Sequence, residues 1–336
     1  MSFFQSFSLL SGGYTEMKRI ETVIRKFVSQ IIQFIVVIIG ITLLTFSIMY
    51  LSPKNPAELW LAGSDGNVGI VSEEAIERQE KIMGLDKPFI VQYGNWLLNA
   101  AKGDLGISFA TRRPVSQEIK EHMAPTVEMT AVSLAVTVII AVPIGILCAV
   151  YKDKTFDNIF RIFSFVGISL PSFVISIIFL WFFCIKIKII PVIAPAGMKG
   201  LILPSAVLII QCASKMIRQI RAIILEQLEL PYVEGAVMRG VSYRRILFSH
   251  VLKNCAAPIL TCVSIYVGLF LGGSTIIEGI FSVNGLGRLA VNSVARLDYN
   301  MLQGFVLWCA VVYLIVNLAV DIISAVIDPR IKYGNE

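Results

Sequence analysis

The chain has 336 residues, of which 56% are hydrophobic and only 15% are charged, with a formal net charge of +6. Soluble domains carry roughly 25% charged residues, so this composition excludes an ordinary soluble protein and indicates one that crosses a membrane several times. The basic residues gather at the ends of apolar runs, as is typical of membrane proteins, and this placement argues against a nucleic-acid-binding protein.

Apolar runs in chain order predict an all-α fold with six transmembrane helices. A helix needs about 20 apolar residues to cross the hydrocarbon core of a bilayer. The predicted spans are Phe27–Leu51, Thr126–Val150, Ile159–Cys184, Leu201–Ile217, Ala256–Ile280 and Gln303–Ile327. The fourth is the shortest and carries Gln211 and Lys215. Pro143 and Pro171 lie inside spans and are expected to kink them.

Lysines and arginines beside the spans predict the orientation of the chain. They concentrate before the first span, around the second connection, in the fourth connection and in the tail, which places both termini and the 218–255 loop in the cytoplasm. The predicted organisation is a cytoplasmic N-terminal segment 1–26, a first transmembrane helix 27–51 that is an uncleaved anchor, an extracytoplasmic subdomain 52–123, a five-helix core 124–327 that includes the 218–255 loop, and a cytoplasmic tail 328–336. Within the subdomain, helical patches are expected near 73–83 and 88–102.

The 218–255 loop contains a segment that predicts a short amphipathic helix beside the membrane. Pro231 suits the first turn of a helix, where its missing N–H would be unpaired anyway. Gly240 offers a left-handed stop, and Ser242 is placed to cap a second helix. Val233, Ala236 and Val237 are expected to share one apolar stripe. A helix of this kind is typical of a docking element for a partner protein.

The inventory of reactive residues argues against an enzyme and predicts no cofactor. Only His122 and His250 are present, and they fall on opposite sides of the predicted membrane. Leu10-Ser11-Gly12-Gly13 resembles the signature peptide of ABC-type ATPases, but the chain has no phosphate-binding G-x-x-x-x-G-K-[ST] loop, so it is not expected to hydrolyse ATP. None of the six cysteines forms a C-x-x-C pair, and all are expected to be small buried hydrophobic residues rather than metal ligands or disulfides.

Three acidic residues and three glycines inside or beside the spans remain as candidates for other roles. Glu128, Glu278 and Asp321 lie near span ends, where capping or pairing is expected, and no ionisable series runs along a helix as a proton or sodium relay would require. This weakens, without removing, the alternative of a self-sufficient secondary transporter. Gly268, Gly272 and Gly273 would permit close helix contact.

Several segments resemble, in their order, the B-type permease subunit of ABC importers for nickel, dipeptides and oligopeptides. The central one is Glu234-Gly235-Ala236-Val237-Met238-Arg239-Gly240, which resembles the family pattern of Glu-Ala-Ala, three residues and Gly, with Gly in place of the middle Ala. The others include Gly84-Leu85-Asp86-Lys87-Pro88, Gly103-Asp104-Leu105-Gly106, Gly167-Ile168-Ser169-Leu170-Pro171, Glu278-Gly279-Ile280-Phe281, Asn284-Gly285-Leu286-Gly287-Arg288 and Asp328-Pro329-Arg330. The resemblance covers nearly everything after residue 20.

The resemblance implies a type I importer permease with a MetI-like fold, in which helix 231–239 docks in a groove of a cytoplasmic ATPase. Glu234 would accept polar contacts there, Ala236 and Gly240 would allow close approach, and basic residues would add electrostatic steering. The implied coupling residues are Glu234, Gly235, Ala236, Arg239, Gly240, Arg244 and Arg245. The implied partners in a bacterial inner membrane are a second, similar permease subunit, two ATPase subunits and an extracytoplasmic solute-binding protein.

The implied substrate stays open between nickel and peptides. The segments Val91–Trp96 and Gly106–Val115, together with the basic Arg239 before Gly240, look closest to the nickel-import branch, which favours nickel or a nickel chelate. The spans offer few nickel ligands, and no metal site is expected in the chain. His122 is the one weak candidate for a metal ligand. Dipeptides or oligopeptides are the alternative cargo.

Overall fold

The structure is a computed structural model that describes residues 29–52, 55–62, 72–191 and 197–327. It forms two compact units, Met1–Ser52 and Pro53–Glu336, which are treated separately. The predictions for residues 1–26, the Leu10–Gly13 peptide and the 328–336 tail lie outside the described residues. The helices are α1 Ser29–Tyr50, α2 Pro56–Ala62, α3 Glu73–Met83, α4 Phe89–Ala101, α5 Val115–Val150, α6 Thr155–Ser169, α7 Ser172–Phe179, α8 Ile202–Leu228, α9 Pro231–Met238, α10 Tyr243–Ile246, α11 Leu252–Ile280, α12 Leu286–Ala295 and α13 Tyr299–Ile327.

The all-α prediction is confirmed. Within the described ranges, the sole extended pairing is an isolated bridge between Ile107 and Pro114. The two helical patches predicted before the second span are α3 and α4.

In the first unit, α1 shows how an apolar helix satisfies hydroxyl groups through its own backbone. Thr42, Thr45 and Ser47 donate to backbone carbonyls one turn earlier, so these three hydroxyls do not face hydrocarbon without a partner.

Five helical segments are long and apolar enough to cross a membrane, and one bent pair could make a sixth crossing. That pair corresponds to the predicted third span, so the expectation of one kinked helix there is wrong. The axes of Thr155–Ser169 and Ser172–Lys186 differ by 99°. Pro171 disfavours a helical conformation at Leu170, whose ψ is 124°, and the helix ends instead of bending. By contrast, α5 continues through Pro143.

The fourth span is longer than predicted. It runs from Met198 to Leu228 instead of Leu201–Ile217, so the predicted 218–255 loop does not begin at residue 218. Arg218 and Arg221, which suggested the start of a loop, lie within α8 because Arg221 finds a buried acidic partner in Asp157. The neighbouring spans also begin earlier than the hydrophobic runs, with α5 starting at Val115 and the fifth span at Tyr243.

The core of the second unit is built around α8, which is the most buried of the long helices. Two glycines bring its neighbours close. A Cβ at Gly145 of α5 would lie 2.8 Å from the Ile220 Cβ, and one at Gly167 of α6 would lie 2.0 Å from the Ser214 Oγ. Small residues at helix crossings let backbones approach within the membrane. The glycine of the Gly167–Pro171 segment is therefore a packing residue.

The glycines predicted to allow close contact in the fifth span behave differently from one another. A Cβ at Gly268 would lie 3.0 Å from the Tyr313 ring of α13, so that position is a real helix contact. Gly272 and Gly273 have open space where a Cβ would stand. The prediction is therefore right for Gly268 and wrong for the other two within this chain.

Candidate functional site

The short helix α9 begins and ends where the sequence predicted. Pro231 occupies its first turn, and Leu230 before it is extended, as the residue preceding a proline prefers. At the other end Gly240 has φ +75° and donates its N–H to the Val237 carbonyl at 2.9 Å. The left-handed stop at Gly240 is confirmed, because a residue with a Cβ is strained in this conformation.

One face of α9 is buried in the core of the second unit. Val233 and Ala236 are 6% and 5% exposed and join the main hydrophobic cluster, in which Ile246 and Leu247 also lie. Val237 was predicted to share this stripe, but it is 56% exposed and lies outside it. Ala236 was expected to allow close approach of a partner. Its side chain instead packs inward because it lies one turn from Val233 on the buried face.

The opposite face of α9 is bare. Glu234, Val237, Met238 and Arg239 are exposed, and Met238 is 85% exposed. Gly235 is half-buried and has open space at its Cβ position. The exposed Arg244 and Arg245 follow on α10, and no ion pair among the described residues joins Glu234 to any of these arginines. The surface therefore presents an acidic group, basic groups and a flexible apolar side chain together.

Met238 was not singled out from the sequence, although a signal was available. It lies one turn after Glu234, and five and two residues after Val233 and Ala236, which places it on the side of the helix opposite to that stripe. The prediction for Ser242 was half right. Ser242 occupies the N-cap position of α10, but its side chain makes no capping bond.

The helix α9 is joined tightly to two long helices. Only Glu229 and Leu230 separate it from α8, and after a four-residue turn the chain continues as one apolar span from Tyr243 to Ile280. The Tyr232 hydroxyl lies 3.2 Å from the Gln227 side-chain oxygen of α8, which adds a side-chain link. A force applied to α9 would therefore reach α8 and α11 directly.

A buried ion pair holds α6 against α8 near the same end of the molecule. Arg221 donates from Nε to Asp157 Oδ1 and from Nη2 to Asp157 Oδ2, both at 2.7 Å. The Asp157 side chain is fully buried and also accepts the Asp153 backbone N–H at 2.9 Å. A bidentate guanidinium–carboxylate pair is strong and directional. The sequence carried a signal for it, since Arg221 interrupts the buried stripe of Ile217, Ile220 and Ile224 and so requires an acidic partner.

At the far end of α11, a buried carboxylate holds the short helix α12. Glu278 is fully buried and accepts bonds from the Thr126 hydroxyl at 2.8 Å and from the Arg288 backbone N–H at 3.0 Å. The Leu286 N–H donates to the same Thr126 hydroxyl at 2.8 Å. The carboxylate therefore lies at the N-terminus of α12, where unpaired N–H groups and the helix dipole favour negative charge. The expectation that Glu278 caps or pairs is confirmed.

Two glycines make room for that carboxylate. A Cβ at Gly285 would lie 2.6 Å from Glu278 Oε2, and one at Gly287 would lie 2.5 Å from the Thr275 Cα and 2.9 Å from the same oxygen. Glu278 and the Asn284–Arg288 segment therefore belong to one contact, in which the carboxylate lies against the two glycines and accepts the Arg288 N–H. Sequence reasoning matched these residues to a family pattern but did not find their contact.

The segment between α4 and α5 is attached to the turn before α13. The Ser108 hydroxyl donates to the Asp298 carboxylate, and the Asn300 side chain donates to the Ile107 carbonyl at 2.9 Å. Arg112 lies over the Trp60 ring, 3.8 Å from its centroid, and Arg113 pairs with Glu118 and Glu121. The hydrogen bond from Arg113 to Glu121 raises the pKa of the Arg113 guanidinium above its ordinary value. Ser108, Arg112 and Arg113 thus have partners within the chain.

The residues considered as metal ligands are not brought together. His122 Nδ1 lies 2.9 Å from the Glu118 carbonyl oxygen and 3.7 Å from the Glu118 carboxylate. No group of three His, Cys, Asp or Glu side chains suited to a metal occurs in the part of the chain that the structure describes. The six cysteines are all free, five of them buried and Cys309 partly buried, in line with their predicted role as small hydrophobic residues.

Comparison with known proteins gives consistent matches over most of the chain. Residues 141–333 match the family described as binding-protein-dependent transport system inner membrane component, and residues 22–130 match the N-terminal part of such membrane components. The glutathione transport system permease protein GsiC of Escherichia coli O6:H1 is 32% identical over 293 residues, covering 87% of this chain and 94% of that protein. A putative peptide transport system permease protein of Brucella abortus (strain 2308) is 33% identical over 312 residues, covering 90% of this chain and 98% of the relative.

The fold is also similar to that of a solved transporter. A chain of the MetNI methionine ABC transporter, in an inward-facing conformation, matches 62% of this chain and 96% of its own length, with a TM-score of 0.51 and 18% sequence identity. At this level of identity the likeness concerns the fold alone. It agrees with the MetI-like arrangement of helices that the sequence predicted.

Proposed function

Because this chain belongs to the family of binding-protein-dependent transport system inner membrane components, we propose that it forms half of a translocation pathway for peptide-like solutes and is moved through α9. Membership makes the chain a permease subunit of an ABC importer, a class whose transmembrane subunits are not catalytic. It implies a partner ATPase as the source of energy and a binding protein as the source of solute. The family thereby removes the alternative of a secondary transporter that works alone.

The observation that carries the coupling role is that α9 is buried on one face and exposed on the other. Val233 and Ala236 fix the helix to the transmembrane core, while Glu234, Met238 and Arg239 are left bare on the other side. An exposed, mixed-charge helix face that is rigidly joined to two spans suits the groove of a partner that moves. We assign Glu234, Gly235, Arg239 and Gly240 of α9 and its stop, with Arg244 and Arg245 of α10, to the ATPase-facing surface. Ala236 supports this surface from within the chain.

The topology and assembly follow from that assignment. If α9 meets an ATPase in the cytoplasm, the α12 end of α11 and the segment 52–123 lie on the outer side, where a binding protein would deliver solute. Both termini are then cytoplasmic, and a second, similar permease subunit would complete the pathway. Closure of the ATPases would move α9 and, through α8 and α11, expose the pathway alternately to each side.

Peptide-like solutes are favoured over nickel by two observations. Relatives that match most of the chain carry names that refer to glutathione or peptide transport. The segment that suggested nickel, Gly106–Val115, uses its polar residues for internal contacts such as Ser108 to Asp298, which attach it to the rest of the outer region. A nickel chelate would need no ligands from the chain, so the two cargoes are separated by measuring uptake.

The cargo can be tested with the complete importer reconstituted with its own binding protein. Uptake of a labelled peptide, and of labelled glutathione, is measured in parallel with uptake of radioactive nickel with and without a chelator. ATP-dependent peptide or glutathione uptake that excess unlabelled peptide suppresses, with nickel remaining outside, is the expected result. Nickel uptake that peptides do not suppress would overturn the cargo assignment while leaving the permease role intact.

A further inference from the structure

A cavity of about 830 Å³ lies between α6 and α8 on the side of the molecule where α9 is found. Sites for small ligands usually measure about 300–1,000 Å³, so the space is large enough to hold a defined molecule. The two helices approach each other closely at Gly167 and Ser214, and again at the Asp157–Arg221 pair. The cavity extends along both helices from the Asp157–Arg221 pair to Ile168 and Ser169, just past the Gly167–Ser214 contact.

The charged part of the cavity wall is mainly cationic. It contains the guanidinium groups of Arg161, Arg218 and Arg221 and a single carboxylate, that of Asp157. Arg221 already neutralises Asp157. Arg161 has only an exposed contact with Asp153 at 3.3 Å, and Arg218 forms no ion pair with any described residue. The cavity therefore carries about two positive charges that the chain itself does not neutralise well.

The rest of the wall is apolar and open to the surroundings. Ile162 and Phe165 line the cavity from α6 and are 65% and 72% exposed. Phe160, Ile168 and Ile217 continue the same wall. Side chains of this size and exposure would be costly beside water, but they suit contact with hydrocarbon. The cavity thus has a cationic part and an apolar part.

The level of the arginines in the membrane can be read from the neighbouring helices. The apolar run of α5 ends at Val150 and is followed by Lys152 and Lys154, and the charged residues Asp153, Asp157 and Arg161 lie just before α6 and in its first half. Arg221 and Asp157 bond each other at this same boundary. We therefore expect Arg161, Arg218 and Arg221 to lie near the membrane interface, and the exposed Ile162 and Phe165 to face the hydrocarbon.

We infer that this cavity binds an anionic phospholipid, with its phosphate between Arg161 and Arg218 and its acyl chains along Ile162 and Phe165. Arginine pairs with phosphate through parallel N–H bonds, and basic pockets between helices at the inner leaflet suit anionic headgroups. A lipid wedged here would hold α6 and α8 apart just below the Gly167–Ser214 crossing. Since α8 leads directly into α9, such a lipid would also support the helix that receives the ATPase.

The inference can be tested by native mass spectrometry of the complete importer released from nanodiscs that contain phosphatidylglycerol and phosphatidylcholine. The variants are Arg218→Gln, Arg161→Gln and the double variant, none of which disturbs the Asp157–Arg221 pair. Each substitution is expected to lower retained phosphatidylglycerol about fivefold, because one interfacial arginine is worth about 1 kcal/mol toward an anionic lipid. Lys154→Gln removes a charge from the same boundary outside the cavity and should leave retention unchanged.

Three results would overturn the inference. Equal retention of phosphatidylglycerol in the wild type and the double variant would show that the arginines do not hold the lipid. Displacement of the lipid by transported peptide would identify the cavity as part of the solute pathway. Efficient cross-linking of Phe165→Cys to the second permease subunit would show that protein, not lipid, covers this wall.

Discussion

Two short helices, α9 and α12, lie at opposite ends of the fifth span and are held in very different ways. The α12 helix is fastened by the buried Glu278 carboxylate, which receives bonds from α5 and from α12 itself. The α9 helix is held by the small apolar contacts of Val233 and Ala236, and its other face is bare. The 38-residue span between them is about 57 Å long at 1.5 Å per residue. The contrast indicates a fixed structure at one end and a surface prepared for a partner at the other.

This comparison separates two kinds of variant by their consequences. Changes in the α12 attachment should lower the stability of the chain, and any loss of transport would follow from that. Changes on the bare face of α9 should leave stability unchanged and still abolish transport. Measuring the free energy of unfolding beside uptake therefore tests the distinction directly.

The largest effect on stability is expected for Glu278→Ala. The substitution leaves the Thr126 hydroxyl and the Arg288 N–H without their acceptor in a buried site, and it removes a carboxylate from the N-terminus of α12. Loss of such an acceptor costs about 3–5 kcal/mol. The free energy of unfolding of the purified importer should fall by this amount, as followed by thermal unfolding. Glu128→Ala, at an exposed position on α5, serves as the control and should change little.

A smaller loss is expected for Gly287→Ala. Its methyl group would stand 2.5 Å from the Thr275 backbone and 2.9 Å from the Glu278 carboxylate, so α12 must move outward. Overpacking of this kind typically costs about 1–3 kcal/mol. The matched control is Gly279→Ala, where a Cβ meets open space. Equal unfolding curves for the two variants would contradict the close packing of α12 against Thr275 and Glu278.

The smallest change in stability and a large change in transport are expected for Glu234→Lys. The side chain is exposed and has no ion-pair partner in the described part of the chain, so the free energy of unfolding should shift by less than about 0.5 kcal/mol. Uptake should fall by about tenfold or more, because a tenfold loss needs only about 1.4 kcal/mol of docking free energy. Uptake at the wild-type rate in a fully assembled importer would refute the assignment of Glu234.

The sequence predicted features that depend on neighbours along the chain. Pro231 and Gly240 fix the limits of α9 through backbone geometry alone, and hydrophobic runs located the first span and the last two crossings. Those rules need no knowledge of other helices. The same local reasoning located α3 and α4, in a region whose charges give no information on the orientation of the chain.

Features that depend on distant partners were predicted poorly. The fourth span was ended at Ile217 because Arg218 and Arg221 look like loop residues, whereas Asp157, 64 positions away, neutralises Arg221 inside the helix bundle. The Glu278 contact with Thr126 spans 152 positions and could not be read from local spacing. At Pro171 a kink was expected, but the size of the bend depends on how α6 and α7 pack. Likewise, the inward direction of Ala236 depends on the core beneath it.

The most direct test of the account is cross-linking from α9 to the ATPase in the complete importer. Met238→Cys should form a cross-link with the ATPase subunit under a short bifunctional thiol reagent, and its yield should change between the ATP-bound and ATP-free states. Val233→Cys on the buried face and Ile82→Cys on α3 should give none. Absence of a cross-link from Met238→Cys in an assembly that hydrolyses ATP and imports solute would contradict the claim that this helix transmits the motion.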